Sequence, residues 1–154
     1  MADLRSIGVL TSGGDAPGMN AAVRAVVRAG IYYGYRMLGV RKGYEGLLHG
    51  DIDELTLRSV GDIIQRGGTV LQTARSAEFN TKAGLEKAMR MAEVYEMDAL
   101  VVIGGDGSYR GARDLAGLGM NVVGIPGTID NDISCTEYTI GYDTAMNTVL
   151  DAID

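Results

Sequence analysis

Glycine and aspartate residues cluster at the ends of three apolar segments of the sequence. The first segment leads into TSGGDAPGMN at residues 11–20, another into GGDGS at 104–108, and the last into PGTIDND at 126–132. Glycine lacks a Cβ atom, so main-chain N–H groups in such loops can approach a phosphate closely. A carboxylate beside bound phosphates needs an intervening cation such as Mg²⁺. The loops therefore indicate phosphate and metal chemistry at the ends of strands.

The glycine-rich loop at residues 104–108 offers the most direct phosphate site. A polyphosphate could lie against its main-chain donors, and Asp106 would then face the same phosphates through a cation. The alternative is an Asp-Gly turn in which Ser108 caps a following helix. The loop at 11–20 also joins a strand to a helix, but it matches neither GxGxxG nor GxxxxGK[ST]. It therefore indicates a generic anion site.

Two aspartates after the last predicted strand, Asp130 and Asp132, are candidates for a shared ligand. Side chains two residues apart in an extended segment point the same way, and Thr128 precedes both. One carboxylate could help to hold a metal ion while the other accepts a proton from an incoming hydroxyl. A plain Asp-Asn-Asp surface loop is the alternative.

Phosphoryl transfer also requires positive charge near the migrating group. Arg75, in QTARSAEF, is the best cationic candidate because its loop is predicted to follow a strand and to open on the same edge of the sheet. Arg24 and Arg28 lie four residues apart in a predicted helix and hence on one face of it. They could bind a second anion, although a solvated face is the simpler interpretation.

The elements that must position these loops alternate between strand and helix. Continuous apolar runs predict strands, and apolar residues at helical spacing predict helices. This alternation predicts an α/β fold, with a three-layer, Rossmann-like αβα arrangement, a mostly parallel sheet and helices on both faces. The loops would then meet at the carboxyl ends of the strands. The predicted strands are 6–10, 36–40, 69–73, 99–103 and 121–125, and the predicted helices are 19–33, 59–66, 81–96, 109–118 and 142–153.

Composition narrows the class of protein. The 154 residues suffice for about one domain with a hydrophobic core, and 46% hydrophobic with 22% charged residues is typical of soluble globular proteins. The net charge of −6 argues against nucleic acid as a partner. No apolar run is long enough to span a bilayer, and the N-terminus lacks a signal-peptide core. We therefore expect no membrane partner and a cytoplasmic location.

The single cysteine and the single histidine give little sign of catalysis. Cys135 excludes an intramolecular disulfide and fits a reducing compartment. It is interpreted as a loop residue and not a nucleophile, because no histidine lies near it in sequence. His49, in LLHGD, has the context of a turn, so we expect a solvated or capping role.

Several segments in a fixed order, TSGGDAPGMNAAVR, RGGTVLQTARS, GGDGS, PGTIDNDI and TIGYDTA, resemble the N-terminal half of bacterial 6-phosphofructokinases. The resemblance covers essentially the whole chain and implies ATP as co-substrate with Mg²⁺. It implies that Asp130 is the base that takes the proton from the 1-hydroxyl of fructose 6-phosphate, with Arg75 and Thr128 assisting, and that Asp106 contributes to Mg²⁺ binding. The implied nucleotide residues are Gly13, Arg75, Ser76, Gly105, Asp106, Gly107 and Ser108, and the implied sugar residues are Thr128, Ile129, Asp130 and Asp132.

The resemblance also bears on nucleotide choice and regulation. Pyrophosphate-dependent members resemble this pattern but carry Asp at the position of Gly107 and Lys at that of Gly127, whereas this chain has the ATP-type residue at both. Arg24, Arg28 and Arg58 match positions that line an ADP effector site between subunits, which implies a homo-oligomer.

The chain is shorter than the subunits of the family that it resembles. Family subunits have two lobes, and the second lobe makes most sugar-phosphate contacts. We therefore expect residues 1–154 to form the ATP-binding domain, with the sugar-phosphate lobe absent. Three interpretations stay open: an active kinase, a nucleotide-binding module with little or no turnover, and a lobe that self-associates through apolar surface that the second lobe would cover.

Overall fold

The structure, a computed structural model, describes residues 4–134 and 136–153. Cys135 lies outside the described residues. Strands and helices alternate through most of the chain, as predicted. The strands are β1 (Ser6–Thr11), β2 (Arg36–Val40), β3 (Ile52–Leu55), β4 (Ala99–Gly104) and β5 (Asn121–Pro126), and the helices are α1 (Met19–Tyr32), α2 (Gly43–His49), α3 (Lys82–Val94), α4 (Asp106–Gly117) and α5 (Tyr142–Ile153), with a short 3₁₀ helix at Glu78–Asn80.

The five strands form one sheet in the order β3-β2-β1-β4-β5. The pairs β1–β2, β1–β4 and β4–β5 are parallel, and only β3 runs antiparallel, against β2. The predicted α/β fold with a mostly parallel sheet is therefore confirmed. Because β1, β4 and β5 are neighbours and run in the same direction, the loops that follow them lie side by side at the carboxyl ends of the strands.

Helices cover both faces of the sheet, and the alternation of side chains along each strand divides the core in two. On one face, Leu10 and Leu100 are fully buried against residues of α2, α3 and α4. On the other face, Val9 and Ile103 are fully buried against α1 and the segment 56–72. The three-layer arrangement thus arises because strands with apolar side chains on both faces must be covered on both.

Two predicted elements are wrong. The predicted helix at 59–66 is a series of turns with isolated N–H to C=O bonds three residues apart, such as Gly61 to Arg58 and Arg66 to Ile63, and the backbone of Asp62 is left-handed at φ 51°. The buried residues Val60 and Ile63 explain the helical spacing of the apolar residues. The predicted strand at 69–73 is a turn closed by Gln72 N–H and Thr69 C=O at 3.0 Å.

Helix α2, strand β3 and the short 3₁₀ helix were not predicted. Helix α2 begins after Lys42 and ends before Gly50, both left-handed, and it buries Leu47 and Leu48. Strand β3 pairs with β2 and forms one edge of the sheet. None of the described helices combines the length and the apolarity needed to span a bilayer.

Helix α5 contrasts with the other four helices. It has the predicted bounds, but none of its described residues is buried. Its apolar side chains face solvent, with exposed fractions of 57% for Leu150 and 76% for Ile153. On the edge strand β5, Val123 is 62% exposed. Apolar side chains of β5 and of α5 are therefore left exposed among the described residues.

Candidate active site

A cavity of about 880 Å³ opens where β1, β4 and β5 end. The loops after these three strands and the Arg75 loop all contribute to its wall. The cavity therefore collects the predicted phosphate, cation and carboxylate candidates at one edge of the sheet. Its lining residues are Ser12, Gly13, Gly14, Tyr44, Thr73, Ala74, Arg75, Ser76, Ala77, Phe79, Asn80, Gly105, Asp106, Gly107, Ser108, Gly127, Thr128, Asp130 and Asp132.

Helix α4 begins three residues earlier than predicted. Its N-cap is Gly105, so Asp106 lies in the first turn and Ser108 is a buried helical residue, not a cap. The first main-chain N–H groups of a helix have no partner within the helix and carry partial positive charge. Here they lie beside the cavity, next to Gly107, where an added Cβ would meet nothing within 4 Å. This is the geometry of an anion-binding loop.

Close packing joins the loops to one another. A Cβ at Gly104 would lie 2.5 Å from Ser108 Oγ and 2.6 Å from the carbonyl oxygen of Ser12, so glycine is required there. A Cβ at Gly105 would come within 3.5 Å of Thr128, and one at Gly13 within 3.6 Å of Ser108 Oγ. The loops after β1, β4 and β5 are therefore in close contact, as expected for loops that follow neighbouring parallel strands.

The contrast between two of these glycines makes a stability prediction. We expect Gly104→Ala to lower the free energy of unfolding by about 1–3 kcal/mol, because overpacking against backbone cannot relax cheaply. Gly107→Ala should keep or raise that free energy by up to about 1 kcal/mol, since the site is open and alanine favours helix. Urea unfolding of both variants is the measurement. Equal effects at the two positions would contradict the packing described here.

The aspartate-rich loop after β5 is anchored at Thr128. Thr128 Oγ1 accepts the Asp130 N–H at 3.2 Å, and the Thr139 hydroxyl donates to the Thr128 carbonyl at 2.7 Å. Asp130 and Asp132 are exposed and both line the cavity. Ile129 does not line it, and its side chain is 49% exposed. The predicted carboxylates are thus brought together, while Ile129 lies outside.

The described residues do not form a metal site from protein side chains alone. Within residues 4–134 and 136–153, no group of three or more His, Cys, Asp or Glu side chains could hold an ion. Asp106 forms an ion pair with Arg110 at 2.7 Å, one turn along α4, and both side chains are largely exposed. Asp106 is the one carboxylate of the glycine loop itself, which fits Mg²⁺ that is held mainly by substrate phosphates and water.

The Arg75 loop is fixed at its far end by an aromatic stack. Ser76 Oγ accepts the Phe79 N–H at 3.2 Å, and the Phe79 ring stacks on Tyr44 at 4.0 Å between centroids. Arg75 is exposed on the cavity wall and forms no ion pair with a described residue. It is therefore free to meet a ligand.

Tyr44 and Phe79 were missed as site residues because neither stands in a glycine or aspartate motif. The Tyr44 hydroxyl donates to the Ser108 carbonyl, which ties α2 to the first turn of α4. Burial raises the pKa of the Tyr44 phenol well above its ordinary value, and the charge of Asp114 raises it further. The phenol therefore stays protonated and remains a donor.

The remaining predicted candidates lie outside the cavity. Arg24 donates to the Val60 carbonyl, which joins α1 to the turn that carries Arg58, and Arg28 is exposed on α1. None of these three arginines lines the cavity. His49 ends α2, half exposed, with Nδ1 2.9 Å from the Glu45 carbonyl oxygen.

The three-layer fold and the cavity at the carboxyl ends of its strands place the chain in the class of α/β proteins with a mostly parallel sheet, whose ligand sites lie at those ends. A family model described as Phosphofructokinase matches residues 6–154. The ATP-dependent 6-phosphofructokinase of Clostridium tetani is 62% identical over 151 residues, which are 98% of this chain and 47% of that protein. For the enzyme of the same name from Clostridioides difficile, the values are 60% over 150 residues, 97% and 47%.

Solved structures agree. The structure of Pichia pastoris phosphofructokinase in the T-state superposes with a TM-score of 0.94 at 40% identity, covering 100% of this chain and 20% of that one. The chain therefore belongs to the phosphofructokinase family. It spans about half the length of the curated relatives that it matches.

Proposed function

We propose that the chain supplies the ATP-binding part of an ATP-dependent 6-phosphofructokinase, which transfers the γ-phosphoryl group of ATP to the 1-hydroxyl of fructose 6-phosphate. One observation carries the proposal: a single cavity is lined by the glycine loop, Arg75 and Asp130. An anion cradle, a cation and a carboxylate base are the groups that phosphoryl transfer needs from a protein. Residues 1–154 would then form the ATP-binding domain of this enzyme.

The glycine loop and the Arg75 loop would hold the nucleotide. Main-chain N–H groups of Gly105 to Ser108 would donate to phosphate oxygens, and Gly13, where an added Cβ would lie 3.6 Å from Ser108 Oγ, would leave room for the phosphates beside them. Arg75 would stabilise the charge that develops on the transferred group, with Ser76 beside it. Asp106 would help to hold Mg²⁺, which when bound neutralises phosphate charge.

Asp130 would act as the general base. In-line attack by the sugar 1-hydroxyl forms the new O–P bond and breaks the bond to the leaving ADP oxygen, while the hydroxyl proton passes to the Asp130 carboxylate. The Asp130 main chain is held by Thr128, which would orient the base, and Asp132 lines the same wall near the sugar. Ile129 does not line the cavity, so the cavity itself gives no support for its proposed contact with the sugar.

The open space beside Gly107 supports ATP as the donor. An aspartate there would bring a negative charge to the phosphate-binding turn, as in the pyrophosphate-dependent pattern. Gly127 is packed differently, since an added Cβ would lie 2.9 Å from Ile103. Both positions carry the residue expected for ATP.

Assembly and regulation are a separate part of the proposal. Arg24, Arg28 and Arg58 would bind the phosphates of an ADP effector in a homo-oligomer, supported by the contact of α1 with the turn at 56–61. The exposed apolar side chains of β5 and α5 favour a second candidate for the chain alone, self-association of two copies through those side chains. Sedimentation of the purified chain separates a dimer from a monomer.

Calorimetry with Mg²⁺–ATP tests the nucleotide site. We expect Arg75→Gln to weaken binding by about tenfold or more, because a charge-assisted contact to phosphate is lost. Arg113→Gln is the matched control, since Arg113 lies on α4 outside the cavity with its side chain 77% exposed. Binding that both variants retain in full would contradict the assignment of Arg75.

A coupled assay with fructose 6-phosphate then separates the interpretations of the chain. Turnover supports the kinase, and binding of Mg²⁺–ATP without turnover supports the nucleotide-binding module. A chain that neither binds nor turns over, but sediments as a dimer, supports the self-associating lobe.

A further inference from the structure

The segment before Arg75 is not part of the sheet, so no strand pairing fixes the position of Arg75 relative to the cavity. Residues 69–72 form a turn, and the backbone of Gln72 is left-handed at φ 62°. The two strands at the middle of the sheet, β1 and β4, already have partners on both sides. The turn therefore depends on side chains for the hydrogen bonds that a strand pairing would have supplied.

Two buried polar residues supply them. Thr11, at the end of β1, is fully buried; its hydroxyl lies 2.9 Å from Thr69 Oγ1 and donates to the Gln72 carbonyl at 3.0 Å. Asn20, on α1 and 2% exposed, accepts the Val70 N–H at 2.8 Å and donates to the Arg66 carbonyl at 3.1 Å.

The far side of the turn is held as well. The Lys42 N–H donates to the Leu71 carbonyl at 2.8 Å, and the Leu71 side chain is buried. After Arg75, the chain is fixed again by the Ser76 contact with Phe79. The stretch 73–77, in which Arg75 and Ala77 are exposed, thus lies between two anchored points.

We propose that Thr11 and Asn20 are positioning residues that aim Arg75 into the cavity. This inference deepens the proposed function and rests on it for the role of Arg75. Neither side chain lines the cavity. A buried polar side chain destabilises the fold unless its polar atoms form hydrogen bonds. The side-chain hydrogen bonds observed for Thr11 and Asn20 all go to residues 66–72.

The test uses Thr11→Val, which keeps the shape of the side chain and removes the hydroxyl. Limited trypsin digestion of the folded chain should cleave after Arg75 about five to ten times faster, because the turn loses the hydrogen bonds that the Thr11 hydroxyl forms with Thr69 and Gln72. Thr11→Ser keeps the hydroxyl and should restore the original rate. Ser6→Ala is the matched control on the same strand, since Ser6 Oγ is buried and has no partner among the described residues.

Nucleotide affinity then shows whether the restraint acts through Arg75. We expect Thr11→Val to raise the Kd of Mg²⁺–ATP by about tenfold in the normal background, and to change it less than about twofold in the Arg75→Gln background. General destabilisation would lower the affinity equally in both backgrounds, and that result would overturn the proposal.

The experiments distinguish a failure of the proposed positioning from a failure of the proposed function. Unchanged cleavage after Arg75 in Thr11→Val overturns the proposed positioning, whatever the nucleotide does. Faster cleavage together with a chain that binds no nucleotide overturns the proposed function, and with it the aiming of Arg75, but leaves the restraint of the loop in place.

Discussion

Asp130→Asn is expected to lower the rate of phosphoryl transfer by a factor on the order of 10²–10⁴, while Mg²⁺–ATP binds as before. The amide keeps the size of the carboxylate but cannot accept the hydroxyl proton. Asp130 is exposed and its main-chain contact with Thr128 Oγ1 uses the N–H group, so the fold should be unaffected. Single-turnover transfer of labelled γ-phosphate to fructose 6-phosphate measures the rate, and calorimetry measures the binding.

A second carboxylate serves as the control for this substitution. Asp143 lies in the first turn of α5, exposed and outside the cavity, so Asp143→Asn removes the same charge at a distance. It should leave the transfer rate unchanged. If Asp130→Asn and Asp143→Asn gave the same rate, Asp130 would not be the base.

Gly107→Asp is expected to weaken Mg²⁺–ATP binding by about a hundredfold. Two like charges about 6 Å apart repel by about 3 kcal/mol at an effective dielectric constant of about 20, which corresponds to this loss. The open space at Gly107 accepts the side chain, so the effect should be confined to affinity. Calorimetry in low salt measures it, and urea unfolding verifies that the stability is retained.

Gly117→Asp is the matched control for Gly107→Asp. Both glycines belong to α4 and both have open space where a Cβ would stand, but Gly117 is at the end of the helix far from the cavity. The control changes net charge equally, and its affinity should stay within about twofold of the original. An unchanged affinity in Gly107→Asp would show that phosphates do not lie against this turn.

The part of the site on β1, β4 and β5 could be predicted because local signals were strong. Each of these strands is a short apolar run that is followed within two residues by glycine, and neighbouring parallel strands have their carboxyl ends side by side. The meeting of the loops with Asp106 and Asp130 follows from that geometry. The start of α4 at Asp106 was harder to place, because a glycine-rich first turn has low helix propensity.

The segment from residue 43 to residue 72 could not be predicted, since its structure depends on distant contacts. The apolar residues Val60 and Ile63 have helical spacing, yet the backbone at Asp62 is left-handed, and both residues are buried in the cluster that includes α1. The conformation of 69–72 depends on Thr11 and Asn20, about 50 to 60 residues away. Side-chain hydrogen bonds over such separations leave no periodic pattern in a sequence.

The two edge strands of the sheet, β3 and β5, differ in charge, and this difference affects aggregation of the chain. Strand β3 carries Asp53 and Glu54, which pair with Arg41 and Arg36 at 2.7 and 3.2 Å, and such charges discourage the addition of a further strand. Strand β5, with the sequence NVVGIP, carries no charged side chain. Copies of the chain that aggregate should therefore add strands at β5 and not at β3. The substitution Val123→Lys should suppress this aggregation.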